Sequence, residues 1–257
     1  MAIAYLVQTQ PSQNGKTSSF ENTRRLIERA SPVPGSLIAL PEMFATGFLT
    51  DPLPSLAENL KEFNSPTSHF LQSLANETEC AVLGGGIELF ESEQFSFRNW
   101  TGLFLPGKTV PEILYRKRHP FAEETLRFSP GTEIVSFSWA GFQCFPFICF
   151  DLRFPEDFRL ARLHNASLFI VEAEWPQIRE EHFSTLLQAR AIENQAYVLA
   201  CSRSGEAFAP SCAFSPSGKK LLQASHTENV YKVEMDFAEV QRTRKDFPLP
   251  QPQLLEL

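Results

Sequence analysis

Cysteine is sparse in this chain and forms no motif. Cys80, Cys144, Cys149, Cys201 and Cys212 make an odd count with no Cys-x-x-Cys. That pattern excludes a disulfide framework and the ligand spacing of a structural zinc site. His69, His119, His164, His182 and His226 show no ligand spacing either. Basic charge is also short: 23 Lys and Arg stand against 30 Asp and Glu, a formal net charge of -7. With no basic-aromatic motif, this opposes a nucleic-acid partner. Long apolar runs are missing as well. The longest uncharged stretch, Ile134 to Phe150, is interrupted by Gly141, Gln143 and Pro146, whereas a membrane span needs about 20 predominantly apolar residues. The opening MAIAYLVQTQ has no basic n-region, and its apolar stretch stops at Gln8. It reads as a first strand, not a signal peptide, so the cytoplasm is the expected compartment. Gly84-Gly85-Gly86 is followed by no Gly-Lys-Ser/Thr, which excludes a phosphate loop and leaves a turn as the reading.

No linker, repeat or low-complexity tract divides the 257 residues, so one domain is expected, with an irregular tail from about Asp246 that holds Pro248, Pro250 and Pro252. At 43% hydrophobic residues the composition is globular, and disorder is excluded. The 24 Phe imply an aromatic-rich core with some rings left for a pocket wall.

Strand and helix signals alternate at first. Ile3 to Gln8 reads as a strand, and Ser18-x-x-Glu21 as a capping box opening a helix through Phe20, Thr23, Ile27 and Ala30. Ser36 to Leu40 is a strand. Ser65-Pro66 predicts a capped helix with Phe70, Leu71 and Leu74 inward. Cys80 to Leu83 follows as a strand. Two hairpins come next, Trp100–Leu105 with Ile113–Tyr115 and Glu133–Trp139 with Phe142–Phe150. A helix opens at Pro155, Ser167 to Glu172 is a strand, and a long helix runs from about Gln177 to Asn194. Tyr197 to Ser202, Ala213-Phe214, Lys220 to Gln223 and Val230 to Met235 complete the strands. This mixture predicts an α/β fold of mixed sheets covered by helices.

Three positions stand out chemically. Cys149 ends an apolar strand and faces the start of a helix, an environment that favours thiolate. Glu42 sits at the tip of the strand Leu37 to Leu40, where a carboxylate is partly desolvated and can act as a base. Lys117 lies at the end of the strand Ile113 to Tyr115, inside Tyr-Arg-Lys-Arg-His-Pro. Each also has an ordinary reading: a buried structural thiol, a loop acid and a solvated basic turn.

Taken together, Leu40-Pro-Glu42-Met-Phe, Tyr115-Arg-Lys117-Arg-His and Cys149-Phe-Asp-Leu-Arg153-Phe-Pro-Glu resemble the nitrilase superfamily of carbon–nitrogen hydrolases. Trp175-Pro and Leu187-Gln-Ala-Arg190-Ala-Ile-Glu193-Asn-Gln add two blocks in the same order, so the resemblance spans roughly residues 3 to 247. It implies a four-layer α-β-β-α sandwich and hydrolysis of an amide or nitrile, or acyl transfer. It implies Cys149 as nucleophile, Glu42 as general base, and Lys117 with the backbone N–H of Phe150 as oxyanion donors. Glu124, seven residues before the glycine of Ser129-Pro-Gly131, matches a second glutamate that holds the lysine, with Glu123 adjacent. No metal or organic cofactor is implied. A homodimer is, through about Pro155–Asn165 and Gln177–Asn194.

Within the superfamily, Glu42-Met-Phe-Ala-Thr-Gly-Phe48, Lys117-Arg-His-Pro-Phe121 and the Cys149 block resemble bacterial omega-amidases, which act on 2-oxoglutaramate and 2-oxosuccinamate. Arg153 would then bind a substrate carboxylate bidentately, and Phe44, Phe48 and Trp175 would wall a short-chain pocket. The chain departs from that subgroup at Glu174, where Asn is usual before Trp-Pro, at Pro120, and in the short segment Cys201-Ser-Arg203-Ser-Gly205. A desolvated Glu174 would repel an acidic substrate. The alternatives are another short-chain or N-carbamoyl amidase of the superfamily, and a non-catalytic binding or scaffold protein on the same fold.

Overall fold

A computed structural model of the chain describes residues 1–48, 53–90, 92 and 96–250. In chain order its elements are β1 (Ala2–Gln8), α1 (Lys16–Ala30), β2 (Leu37–Ala39), α2 (Leu53–Leu56), α3 (Pro66–Thr78), β3 (Ala81–Leu89), β4 (Phe97–Phe104), β5 (Ile113–Arg116) and α4 (Glu124–Arg127). The second half holds β6 (Phe137–Trp139), β7 (Phe142–Ile148), α5 (Pro155–Leu163), β8 (Leu168–Ala173), α6 (Glu180–Asn194), β9 (Tyr197–Ser202), β10 (Cys212–Phe214), β11 (Lys220–Gln223), β12 (Asn229–Met235) and α7 (Phe237–Asp246).

The described strands form two six-stranded mixed sheets, ordered β12-β1-β2-β3-β4-β5 and β11-β10-β9-β8-β7-β6. Central strands in each are parallel, β1–β2–β3 and β7–β8–β9, and the flanking strands are antiparallel. The central strands are buried on both faces, which is why they read as unbroken apolar runs. Alternation sorts their side chains into layers. Leu37 and Ala39 of β2 face Leu168, Ile170 and Leu199 across the middle of the sandwich. Ile38 and Leu40 point the other way, onto Ile27 of α1 and Phe70, Leu71 and Leu74 of α3. In the second sheet Phe145, Phe147, Phe169 and Val171 turn outward against Phe158 of α5 and Phe183 and Leu187 of α6. The four-layer α-β-β-α sandwich follows from these three sets of contacts.

Most expected elements occur where the sequence places them, including the Ser65 cap, whose side chain accepts the Ser68 N–H. Two readings are corrected. Ser18 lies inside α1, which starts after Gly15 with no side-chain cap; its chain enters the helix three residues earlier than the box requires. Gly84-Gly85-Gly86 is not a turn but the middle of β3. A Cβ on Gly85 would stand 1.8 Å from the carbonyl oxygen of Trp100 on β4, so the glycines serve close approach between strands. α7 had no counterpart in the sequence reading; it is capped by Asp236, which accepts the Ala238 N–H. Residues 247–250 carry no regular structure, and the rest of the expected tail lies outside the described residues. No helix among the described residues is long and apolar enough to cross a membrane.

Candidate active site

Strand direction gathers the chemistry at one end of the sandwich. β5 is antiparallel to β4, which is antiparallel to β3, so β5 ends at the same edge as β2. Glu42 follows β2 and Lys117 follows β5, while Asn99 lies near the start of β4. In the facing sheet Cys149 follows β7, Glu174 and Trp175 follow β8, and Arg203 follows β9. Crevices at the carboxyl ends of parallel strands are where α/β folds place ligands.

Each catalytic candidate is aimed by a local backbone device. Cys149 has φ 44, a left-handed conformation that turns the chain abruptly from β7 into the helical turn Cys149–Arg153. Such a conformation costs a non-glycine residue about 1–2 kcal/mol and persists only when its surroundings hold it. Asp151 supplies the restraint. Its carboxylate accepts the Ile148 N–H at 3.0 Å, the His119 N–H at 2.9 Å and the Tyr115 hydroxyl at 2.7 Å. Buried Arg190 of α6 donates to the Leu152 carbonyl at 2.8 Å, fastening the turn from the other side. Met43, beside Glu42, also has φ 46, in a turn closed by the Thr46 and Gly47 N–H groups on its carbonyl. Lys117 is pinned through its backbone: its N–H donates to Asn99, and its carbonyl accepts from Gly131 at 2.8 Å. A Cβ on Gly131 would meet the Arg116 carbonyl at 2.1 Å, the physical reason for glycine after Ser129-Pro130.

The side chains then meet in a closed network. Lys117 Nζ lies 2.8 Å from Glu42 Oε1 and 2.8 Å from Glu124 Oε2. Asn99 Nδ2 donates to Glu42 Oε1 at 2.7 Å and to Glu124 Oε1 at 3.2 Å. The Phe121 N–H donates to Glu124 Oε2, and the Glu174 N–H to Glu42 Oε2. Glu42, Asn99, Lys117 and Glu124 are each no more than 2% exposed. It is Glu124, not the adjacent Glu123, that faces Lys117. Burial opposes the charge on Lys117, yet Glu124 and then Glu42 outweigh it and hold the ammonium well above the ordinary lysine range. Burial pushes the Glu124 carboxyl up, with Lys117 pulling against it.

The Cys149 thiol feels the Glu42 carboxylate and the Glu174 backbone N–H beside it. Here the structure corrects the expectation of a thiolate. Burial, and next the Glu42 charge, raise the thiol well above its usual value, with Lys117 only partly opposing them. A thiol so raised would have to lose its proton before or as it attacks, and the Glu42 carboxylate is the group placed to take it.

The thiol opens into a cavity of about 370 Å³ lined by Phe48, Phe121, Cys149, Phe150, Arg153, Glu174, Trp175, Pro176, Arg179 and Phe208. Such a volume suits a small molecule. Residues 4–245 match the family model of the carbon-nitrogen hydrolases. The chain belongs to the carbon-nitrogen hydrolase family. A 2-oxoglutaramate amidase of Bacillus subtilis (strain 168) is 30% identical to this hydrolase over 247 residues, 93% of this chain and 90% of the relative. Omega-amidase YafV of Escherichia coli (strain K12) is 33% identical over 221 residues, 82% of each chain. Among solved structures, Saccharomyces cerevisiae Nit3, a member of branch 10 of the nitrilase superfamily, superposes with a TM-score of 0.86 at 26% identity, covering 96% of this chain and 94% of Nit3.

Of the residues expected to shape the hydrolase pocket, Phe48, Arg153 and Trp175 line it. Phe44 does not. It is 1% exposed and packs on Phe20 and Phe70, between the first sheet and its helices. Phe44 and Phe48 stand four apart on a turn, so they need not share a face. Glu174 lines the cavity as feared, but its charge is answered: Arg203 binds Oε1 at 2.6 Å, and the Phe48 N–H donates to Oε2 at 3.0 Å. His119 stacks on Phe154 and bonds Asp157, a supporting position. Sequence reasoning missed Asn99, Phe121, Arg179 and Phe208. Only Asn99 left a signal, a polar residue inside the apolar strand β4.

Proposed function

We propose that this carbon–nitrogen hydrolase is an omega-amidase that hydrolyses the terminal amide of 2-oxoglutaramate or 2-oxosuccinamate. The observation that carries the reading is the buried Cys149–Glu42–Lys117–Glu124 set opening into a small aromatic cavity whose lining charges without an ion-pair partner among the described residues are the cations Arg153 and Arg179. Two relatives named for such amides support it at 30% and 33% identity.

In this reading the Cys149 sulfur attacks the amide carbon as its proton passes to the Glu42 carboxylate. The developing oxyanion is held by Lys117 Nζ and the Phe150 backbone N–H, at about 3–4 kcal/mol per donor. Glu42 returns the proton to the amide nitrogen, the C–N bond breaks and ammonia leaves a thioester on Cys149. Water then attacks the thioester carbon, giving a proton to Glu42, and the carboxylic acid departs as the sulfur regains that proton. Glu124 keeps Lys117 charged and in place throughout. The acidic end of the substrate lies toward Arg153, whose guanidinium is 5.1 Å from the Trp175 ring centre. The balance closes with these residues and water.

The same reading includes a cytoplasmic location, supported by five free thiols, and a homodimer using the surfaces of α5 and α6.

The test is ammonia release from 2-oxoglutaramate, beside glutamine, a simple aliphatic amide and an N-carbamoyl amino acid, with Cys149→Ala protein as blank. Release from the keto-acid amide, abolished in the variant, is expected. Release only from another member of the panel would move the substrate and keep the mechanism.

A further inference from the structure

The cavity has an electrostatic asymmetry that Arg153 alone does not account for. Its lining carries three charged side chains besides the thiol: Glu174, Arg153 and Arg179. Glu174 is spent on Arg203 at 2.6 Å and on the Phe48 N–H. Arg153 and Arg179 have no carboxylate partner among the described residues; Arg153 has only a 3.4 Å contact with the His182 ring. Both guanidiniums are instead set against aromatic rings of the cavity wall, Arg153 against Trp175 at 5.1 Å and Arg179 against Phe121 at 5.7 Å. Such contacts orient a guanidinium without neutralising it. The base of Arg179 is fixed as well: its carbonyl accepts the Trp175 indole N–H at 2.8 Å, at the end of a short helical turn Gln177–Arg179 that leads into α6. Trp175 thus carries one cation on its ring and anchors the other by its nitrogen. Both guanidiniums are partly exposed, so solvent carries their charge and leaves their donors open to an incoming anion.

We propose that Arg179 is a second specificity-determining residue, which together with Arg153 grips the carboxylate end of the substrate and rejects neutral amides. This rests on the omega-amidase reading for the identity of the acid. Two forks suit a 2-oxo acid, which offers a carboxylate and an adjacent keto oxygen as acceptors. The Glu174 charge is answered by Arg203, so the two cations are the lining charges left for the acidic end of a substrate.

Two measurements test it. In the first, kcat/KM for 2-oxoglutaramate and for butyramide is compared in wild type, Arg179→Ala and Arg179→Lys. The ratio of the two should fall about 10- to 100-fold in the alanine variant, carried mainly by KM, and recover in part in the lysine variant, which keeps charge but loses the fork. An unchanged ratio, or equal losses on both amides, would overturn the assignment, since a merely structural Arg179 would move both together. In the second, 2-oxoglutarate binding to Cys149→Ala protein is measured by calorimetry with and without Arg179→Ala, and the dissociation constant should rise by the same factor. No binding, or binding indifferent to Arg179, would sink the proposal. A wild type that prefers butyramide would instead sink the omega-amidase reading, and the binding pair would still decide Arg179.

Discussion

The first sheet brings charges to the site and the second brings the sulfur, and the two deliveries are secured in different ways. Glu42, Asn99, Lys117 and Glu124 all belong to the first half of the chain. They hold one another, side chain to side chain, through two ion pairs and two amide hydrogen bonds. Cys149, from the second half, is held through its backbone, by a left-handed φ, three hydrogen bonds into Asp151 and the Arg190 bond to Leu152. The difference follows from what each group needs. A buried charge must have partners or it neutralises; a nucleophile must have direction and room in front of it.

The contrast breaks most severely at Lys117, a cation joining two buried carboxylates. Lys117→Ala leaves Glu42 and Glu124 facing each other in a dry site. Removal of one partner from a buried pair costs about 3–5 kcal/mol of stability. In the proposed mechanism it also removes an oxyanion donor, an expected loss of about a hundred- to a thousandfold in kcat. Urea denaturation and steady-state rates measure the two separately. Activity within tenfold of wild type would mean that the oxyanion is stabilised elsewhere.

A cut on the other side of the comparison falls at Asp151, which acts on the backbone and touches no substrate. Burial raises its folded-state carboxyl to about 6 from an ordinary 3.8. The folded chain therefore binds a proton between these values that the unfolded chain has released. Its contribution to stability is full below about pH 4 and is lost as pH rises through 6, by about 3 kcal/mol. Asp151→Asn cannot titrate, so the stability gap between wild type and variant should shrink by that amount from pH 4 to pH 7. A gap of constant size across this range would show that Asp151 does not ionise in it.

How far the site could be read from sequence depends on the same division. Cys149, Glu42 and Lys117 each follow an apolar run directly, so their positions at strand ends were legible before any contact was known. The layers were legible too, because residues such as Leu37-Ile38-Ala39-Leu40 must alternate between two covered faces. What could not be read is where separate segments converge. Arg179 ends the short turn Gln177–Arg179, which has no pattern of its own, and Phe121 and Phe208 approach the cavity from unrelated loops. Phe44 and Phe48 were indistinguishable until the Met43 turn sent one to the helices and the other to the cavity. The triple glycine misled because local rules assign it to a turn, whereas its reason is the Trp100 carbonyl on a neighbouring strand. The thiol's protonation was misjudged for a similar cause: the sequence offered a helix start beside Cys149 but not the depth of burial or the facing Glu42 charge.

The finest test of the charge network is Glu124→Gln, which keeps shape and removes one charge. Lys117 Nζ and the Phe121 N–H both donate to Oε2, so the retained oxygen must sit there. The introduced amide nitrogen then points at Asn99 Nδ2, donor against donor. Asn99 can relieve this by turning its amide, since its own oxygen is buried without a partner among the described residues, but only by surrendering the 2.7 Å bond to Glu42. Glu42 still binds Lys117, so the ammonium survives with a looser aim. A hydrogen bond to a charged group is worth about 1.5–3 kcal/mol, which sets an expected loss of about 10- to 100-fold in kcat. KM should move less than about threefold, because the cavity cations are untouched. A loss carried by KM would place Glu124 in substrate binding, and a kcat equal to wild type would mean that Glu42 alone positions the lysine.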